Sequence, residues 1–167
     1  NSVDKETLTI TTGENIINIY YTKRNDLTYK VNYLEKDTNE ELNPQKVQEN
    51  MTFAEIVTTS EEVIDIDGYI LDSVDKETLT ITTGENVINI YYTKRNDLSY
   101  KVNYLEKGTN KALKVQKEKD GMRFLDTVNA EDEIIQIDGY NYDSNDKPVL
   151  VISTGENIIN IYYTKRN

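Results

Sequence analysis

Short runs in which apolar and polar residues alternate recur along the chain and predict β-strands. In the first complete run, Tyr29, Val31 and Tyr33 occupy every second position, with a lysine and an asparagine between them. Successive side chains of a strand point to opposite faces, so the run predicts a buried aromatic face and a wet face that carries Lys30. The same run returns at residues 100–105. Alternation of this kind is typical of half-buried strands.

Two further strand elements are predicted in each copy. A strand over residues 42–48 would lie at a sheet edge, because Pro44 has no N–H to donate to a ladder. Residues 79–81 and 87–92 are predicted to pair as a hairpin around the loop 83–86, which contains a glycine. The glutamine-, lysine- and glutamate-rich segments of the two copies read as loops or edge strands, and they lie at residues 43–50 and 114–120.

The middle of each copy has apolar residues at helix-like spacing. This spacing predicts a short helix over residues 61–65 with Ser60 near its cap, and the second copy has Asn129 at the corresponding cap. The glycine that follows, Gly68 or Gly139, is expected to supply a positive φ or a close backbone approach. The tyrosine after each glycine is expected to pack at that corner.

The chain is a tandem repeat with a period of 71 residues. The sequence TGENIINIYYTKRN ends at Asn25 and again at Asn167, and a version with one substitution ends at Asn96. Residues 26–96 align with 97–167 without a gap, and about 60% of the positions are identical. Residues 1–25 match the end of a repeat and are predicted to be the C-terminal hairpin of a preceding, truncated copy.

The length of the period predicts the architecture. Solenoid repeats of about 20–45 residues must stack to bury a core, whereas a unit of about 70 residues can form a small core of its own. We therefore expect two small β-rich modules, 26–96 and 97–167, arranged like beads on a string with adjacent repeats as partners. The junction at residues 93–98 has no run of Gly, Pro or Ser, which indicates a stiff connection.

Composition excludes several functions. The chain carries 30 Asp and Glu against 19 Lys and Arg, a net charge of -11, with no Cys and no His. Such an acidic chain is repelled by phosphate backbones, so we expect no nucleic acid partner. Without Cys and His there is no disulfide framework, thiol nucleophile, His-dependent triad or His-ligated metal. No apolar run approaches the length of a membrane span, so no membrane insertion is expected. We also expect no cofactor, no catalytic residues and no enzymatic activity.

Three motifs in a fixed order carry a family resemblance. Each repeat opens with Tyr-x-Val-x-Tyr, has a central Ile-Asp-Gly-Tyr and closes with Asn-Ile-Tyr-Tyr-Thr-Lys, at 29–33, 66–69 and 89–94 and again at 100–104, 137–140 and 160–165. The ordered set resembles the MucBP (mucin-binding protein) repeat of Gram-positive surface adhesins. The resemblance implies a mainly β or α+β unit of β-grasp or ubiquitin-like plan. It also implies secretion, display on the bacterial cell wall and binding to host mucin or its glycans. The glutamine-rich and acidic segments depart from the family pattern, and the family offers no catalytic set.

Two functions of different classes remain open. The first is weak, multivalent recognition of mucin or a glycan, with Tyr91, Tyr162 and Tyr142 as the candidate ligand-binding residues. Tyrosine rings suit the C–H faces of sugars, but strand tyrosines more often pack a core or a sheet edge. The alternative is a structural spacer, a stalk that projects another domain from the cell wall.

Two special chemistries are weighed and disfavoured. Several aspartates crowd one turn region, among them Asp65, Asp67 and Asp72, but their spacing fits solvated turn carboxylates better than a calcium site. A Lys–Asn isopeptide crosslink between Lys30 and Asn89 would need a buried, apolar setting, which alternation denies to Lys30. We therefore predict no metal site and no crosslink.

Overall fold

The described part of the molecule is built from strands. The structure, a computed structural model, describes residues 1–166. Within that range the helical elements are two short 3-10 turns, Thr59–Glu61 and Ala130–Glu133. The mainly β fold class predicted from the sequence is therefore confirmed.

Fourteen strands are described, and they recur with the sequence repeat. They are β1 (Ser2–Val3), β2 (Ile19–Tyr20), β3 (Leu27–Glu35), β4 (Glu41–Met51), β5 (Ile56–Thr58), β6 (Tyr69–Val74), β7 (Thr78–Thr80), β8 (Val87–Lys94), β9 (Leu98–Glu106), β10 (Lys117–Met122), β11 (Thr127–Asn129), β12 (Tyr140–Asn145), β13 (Val149–Val151) and β14 (Ile158–Lys165). Each 71-residue period contributes one four-stranded and one two-stranded sheet.

The four-stranded sheets share one strand order. It is β4-β3-β8-β6 in the first period and β10-β9-β14-β12 in the second. In the second sheet the central pair, β9 and β14, is parallel, and the two outer strands are antiparallel to their neighbours. First and last strands lying parallel at the centre of a sheet are the core of the β-grasp plan that the family resemblance implies. The segments around Pro44 and Lys117 form the edge strands β4 and β10, as predicted.

The predicted hairpin between residues 79–81 and 87–92 is wrong. Strand β7 pairs with β5, in a register that joins Val57 to Leu79, and β8 lies in the other sheet between β3 and β6. The two runs were expected to pair because they are close in sequence. The apolar face of each packs instead in a different sheet, beside strands that are farther away in the sequence. The intervening loop crosses from one sheet to the other instead of folding back on one.

The predicted helix over residues 61–65 is also misplaced. The 3-10 turn begins at Thr59, follows Thr58 and ends before Glu62, and no side chain caps it. In the second copy the turn does follow Asn129, the predicted cap, but the Asn129 side chain does not bond the turn's backbone. The apolar residues of this segment pack through single turns and extended backbone, so their spacing imitates a helix without forming one.

The core of the second period is formed by inward-facing strand residues of its two sheets together with residues of the segments that join them. Its buried members are Leu98, Tyr100, Val102, Tyr104, Val128, Ala130, Ile137, Leu150, Ile152, Ile159, Ile161 and Tyr163. The predicted alternation holds in both first strands: Tyr29, Val31 and Tyr33 are buried and Lys30 is exposed. Burying β-branched and aromatic side chains on one face provides the main drive for this small fold.

Contacts divide the chain into two compact units that do not follow the repeats. One unit combines residues 1–33, 43–63 and 74–90, and the other combines 34–42 and 64–73 with everything from Tyr91 onward. Residues 64–73, which hold the first Ile-Asp-Gly-Tyr motif, thus belong with the second period. The division into modules 26–96 and 97–167 stays a prediction.

An asparagine side chain closes the loop that leads into the last strand of each period. In the second period the Ser153 N–H donates to Asn157 Oδ1 at 2.9 Å, and Asn157 Nδ2 donates to the Ser153 carbonyl at 2.9 Å. The same Nδ2 reaches the Ser99 carbonyl on the neighbouring strand at 3.1 Å. Because Asn157 is buried, these bonds satisfy the polar atoms of its own side chain as well as the backbone groups they reach.

Residue 157 offers a stability test with a matched control. We expect Asn157→Ala to lower the free energy of unfolding by about 2 kcal/mol or more, since it leaves several buried polar groups unpaired. Asn15 makes the equivalent local bonds to Thr11, but it is exposed. Asn15→Ala should therefore change stability by no more than about 0.5 kcal/mol. Urea unfolding followed by circular dichroism measures both, and equal losses would contradict this account of the loop.

Candidate functional site

The predicted ligand tyrosines do not form one site. Tyr162 lies in β14 opposite Ser144 and is half-buried on the outer face of its sheet. Tyr142 lies opposite Tyr163, whose ring is buried on the inner face. Directly paired residues share a face and consecutive residues alternate, so Tyr142 and Tyr162 point to opposite faces. Tyr91 is half-buried in β8, the position equivalent to Tyr162.

Tyr142 borders a cleft of about 230 Å³. Its ring is 42% exposed and packs edge-on against Tyr163 with the centroids 6.3 Å apart. Its hydroxyl accepts a hydrogen bond from Asn145 Nδ2 at 3.0 Å. The remaining lining residues are Ile134, Ile135, Gln136, Ile137, Tyr140, Asn141 and Arg166. A ring and several amides around a small cleft are groups that can contact a sugar.

The two repeats differ at this cleft. Asn141 and Tyr142 replace Ile70 and Leu71 of the first copy, which are exposed apolar residues, and Gln136 replaces Asp65. The aromatic ring at position 142 and the amide at position 141 are therefore present in one copy alone. A glycan site shared by all copies loses support from this difference.

The outer face of each four-stranded sheet carries a row of hydrogen-bonded amides that the sequence analysis missed. Gln116 Nε2 donates to Asn103 Oδ1 at 2.6 Å, and Asn103 Nδ2 donates to Asn160 Oδ1 at 2.8 Å. Asn160 Nδ2 then donates to Asp146 Oδ2 at 2.9 Å. The asparagines at alternate positions in the Tyr-x-Val-x-Tyr and Ile-Asn-Ile runs were the available signal. Because these groups bond one another across strands, the row fixes register and leaves fewer polar groups for a ligand.

A buried glutamate joins the first strand to the edge strand in each repeat. In the second, Tyr100 Oη donates to Glu133 Oε1 at 2.6 Å and Lys117 Nζ donates to Oε2 at 2.5 Å. Burial and this bond raise the pKa of Tyr100. Burial alone would raise the pKa of Glu133, but the bonds from Lys117 and Tyr100 outweigh it and the pKa lies below the usual range. Both carboxylate oxygens are engaged, so the group serves packing and is poorly placed for acid–base chemistry.

Three of the aspartates in the turn region considered for calcium bond to separate partners. Asp67 accepts a hydrogen bond from Thr154, Asp72 pairs with Lys36 at 2.6 Å, and Asp75 pairs with Lys76 at 2.6 Å. Among residues 1–166, no group of three or more acidic side chains lies close enough to hold a metal ion. Asn89, the asparagine weighed for the disfavoured crosslink, donates to Asp75 through its side chain.

Several backbone hydrogen bonds meet at the corner formed by Asp67, Gly68 and Tyr69, which we call the Gly68 corner. Gly68 has a φ of 77°, and its carbonyl accepts the Arg95 N–H at 2.9 Å. The Arg95 carbonyl in turn accepts the Phe124 N–H at 2.8 Å. One junction residue is thus bonded to the corner through its N–H and to the second period through its carbonyl.

The Phe124 ring covers this corner. A β-carbon at residue 68 would lie 2.3–2.4 Å from three ring carbons, which is far inside van der Waals contact. The ring meets Tyr69 edge-on with the centroids 5.7 Å apart. Thr154 Oγ1 adds a hydrogen bond to Asp67 Oδ1 at 2.7 Å. The glycine expected to permit close approach does so, and the tyrosine expected to pack at the corner packs against Phe124.

Phe124 is presented by a strained turn, residues Arg123–Asp126, which we call the phenylalanine loop. Leu125 has a φ of 68°, in the left-handed region that costs a side chain with a β-carbon about 1–2 kcal/mol. Its N–H donates to the Ile152 carbonyl at 2.9 Å, and the Ile152 N–H donates to the Asp126 carbonyl at 2.8 Å. Strain retained against such bonds is typical of residues held in place for a function.

The equivalent corner in the second repeat and the equivalent loop in the first repeat do not make this contact. Gly139 has the same φ, 79°, and the same bond from the next arginine, Arg166, at 2.8 Å. Among the described residues, however, nothing lies within 4 Å of where its β-carbon would be. Phe53, the copy of Phe124, bonds the Arg24 carbonyl at 2.8 Å, yet its ring is 41% exposed. Gly68 is buried and Gly139 is exposed.

Comparison with known proteins yields structural neighbours but no family assignment. No family model and no curated protein matches the chain. The third and fourth SHIRT domains (streptococcal high identity repeats in tandem) of a cell surface protein align with 83% of this chain and 98% of their own, at 13% identity and a TM-score of 0.31. Mub-RV aligns over 84% of this chain and all of its own, at 13% identity and a TM-score of 0.32. At this identity and TM-score, neither alignment says what the chain binds.

No described helix is long and apolar enough to span a bilayer.

The Gly68 corner can be tested against its uncovered copy. Both Gly68→Ala and Gly139→Ala place a β-carbon at a positive φ, which should cost about 1–2 kcal/mol of stability in each case. Gly68→Ala should cost more, because its β-carbon also displaces the Phe124 ring. The chain has two phenylalanines, so selectively labelled ring resonances report directly on the contact.

The expected spectrum has the Phe124 resonances shifted in Gly68→Ala and unchanged in Gly139→Ala, with Phe53 unchanged in both. Identical stability losses together with an unmoved Phe124 resonance would show that the ring does not cover Gly68 in solution.

Proposed function

We propose that this chain is a run of repeats from an extracellular surface protein of a Gram-positive bacterium, in which the repeats act as a structural spacer. The observation that carries the proposal is the covered Gly68 corner, where the Phe124 ring occupies the space a β-carbon would need. A spacer needs a fixed relation between consecutive repeats, and a contact between the first Ile-Asp-Gly-Tyr motif and a residue of the second repeat supports this proposal. The location at the cell surface follows from the family resemblance of the sequence motifs.

The junction residues support a stiff connection. Arg95 donates its N–H to Gly68 and accepts the Phe124 N–H on its carbonyl, at 2.9 and 2.8 Å. Its guanidinium holds Asp97 by two bonds of 2.9 and 2.8 Å, which restrains the residues on both sides of Asn96. Ordering a residue costs about 1–2 kcal/mol of conformational entropy, so these bonds offset a cost that a flexible linker would not incur.

A second candidate is weak binding of mucin or its glycans at the Tyr142 cleft. The exposed ring of Tyr142 and the nearby Asn141, whose amide oxygen accepts a bond from Arg166 Nε at 2.9 Å, favour it. The cleft holds about 230 Å³, below the roughly 300–1,000 Å³ of usual ligand pockets. Avidity from many repeats also requires the same site in each, and the first repeat has Leu71 in place of Tyr142. These two points favour the spacer over the glycan receptor in this proposal.

Binding to immobilised mucin, before and after periodate oxidation of its sugars, distinguishes the two candidates. The spacer proposal expects no saturable, sugar-dependent binding by the folded chain at physiological salt. Leu71→Ala and Tyr142→Ala, changes at equivalent positions of the two repeats, should then behave alike. Saturable binding that is lost on oxidation and in Tyr142→Ala, but kept in Leu71→Ala, would overturn the spacer proposal in favour of a glycan site in the second repeat.

A further inference from the structure

The two corners of the chain have the same backbone but different surroundings. Both follow Ile-Asp-Gly-Tyr, both glycines have φ near +78° (77° and 79°), and both carbonyls accept an arginine N–H at 2.9 and 2.8 Å. At the Gly68 corner a phenylalanine ring fills the space above the glycine, whereas the space above Gly139 is empty among the described residues. Gly139 thus has the backbone conformation that Gly68 has beneath the Phe124 ring, but no ring covers it within residues 1–166.

We propose that the corner formed by Asp138, Gly139 and Tyr140, the Gly139 corner, is a docking surface for the phenylalanine loop of a further copy of this repeat. The proposal deepens the spacer function and rests on it. It names the partner as another 71-residue copy joined in the same chain, and it names the contact as a phenylalanine ring on a bare glycine.

The chemistry of the Gly139 corner matches what Phe124 finds at the Gly68 corner. Gly139 leaves open the space where its β-carbon would be, and Tyr140 can present its ring to an incoming phenylalanine as Tyr69 does to Phe124 at 5.7 Å. Asp138 is exposed and makes no hydrogen bond or ion pair with another described residue. It is therefore open to a hydroxyl like that of Thr154, which bonds Asp67 at 2.7 Å.

The complementary face also exists in this chain. Phe53 is 41% exposed, and Ala54 after it has a φ of 64°, the counterpart of Leu125 at 68°. Thr83, the counterpart of Thr154, is exposed, and its side chain makes no hydrogen bond within the described residues. The first repeat therefore presents the same strained loop and the same hydroxyl without a corner over them. One face of the repeat is the complement of the other, which makes the contact heterologous and able to continue from copy to copy.

The contact depends on covalent linkage. It consists of one aromatic ring, one side-chain hydrogen bond and the backbone bonds of the junction arginine, which is too little to hold separate molecules together. Within one chain a short junction gives an effective concentration of the order of millimolar or above, which is sufficient for a weak contact to form. Separate 167-residue chains should therefore stay monomeric at micromolar concentration.

The test is a chain lengthened by one more copy of residues 97–167 placed after residue 167. Selective phenylalanine labelling gives three sets of ring resonances, one of them from the appended copy. We expect the appended ring to be shifted as Phe124 is, and the Gly139 amide region to become protected from hydrogen exchange by at least tenfold relative to the 167-residue chain.

Gly139→Ala supplies the matched variant, because it has no ring to displace in the 167-residue chain. In the lengthened chain it should move the appended phenylalanine resonance to the position of exposed Phe53 and remove the added protection. Circular dichroism and the tyrosine resonances of the appended copy show that this copy is folded in each case.

A folded appended copy whose phenylalanine resembles Phe53, with no added protection at Gly139, would overturn the proposal. That result would leave the covered Gly68 corner and the mucin experiment unaffected, so it is distinguishable from failure of the spacer function. Protection of Gly139 in the 167-residue chain by mucin oligosaccharides, with none from the appended copy, would likewise overturn it and assign the corner to a glycan.

Discussion

The Phe124 ring fills the space that a β-carbon of residue 68 would need, and the proposed spacer function depends on this contact. The contact requires two features together. One is a glycine at a positive φ, Gly68, and the other is Phe124, which precedes a leucine with left-handed backbone. The strain at Leu125 and the close approach at Gly68 make sense together, as the two sides of a contact between the corner and the next repeat.

The body of each repeat supports the corner through polar bonds that cross strands. The buried asparagine at position 157 closes the loop before β14, and the row from Gln116 to Asp146 ties the outer face of the sheet. Glu133 does the same on the inner side, between Tyr100 and Lys117. A sheet of four strands has a small apolar core, so bonds that fix register contribute specificity that the core alone supplies weakly.

The first strands and the Gly68 corner were predictable because their signals are local. Alternation around Val31 decides its face without knowledge of the partner strand, and a glycine before a tyrosine indicates a turn or a close approach. The 79–92 hairpin was not predictable in the same way. Strand β7 pairs with β5, and only tertiary packing decides between that partner and the nearer β8.

The contact made by Phe124 was likewise not predictable from the sequence. Its spacing from the following apolar residues imitates a helix, and the left-handed backbone of Leu125 has no signature in the sequence. Tyr142 and Tyr162 could be placed in strands, but the register that sends them to opposite faces depends on pairing across β12 and β14. The strand register, which local sequence does not indicate, therefore places the proposed ligand residues on different faces.

Hydrogen exchange at two equivalent amides tests the central claim most directly. Phe53 and Phe124 each donate a backbone N–H to an arginine carbonyl at 2.8 Å, and they differ in whether the ring covers a corner. Burying a phenylalanine side chain is worth about 1.5–3 kcal/mol, so the Phe124 amide should exchange at least roughly tenfold more slowly than the Phe53 amide. Equal exchange at the two amides in the 167-residue chain would contradict a clamped junction.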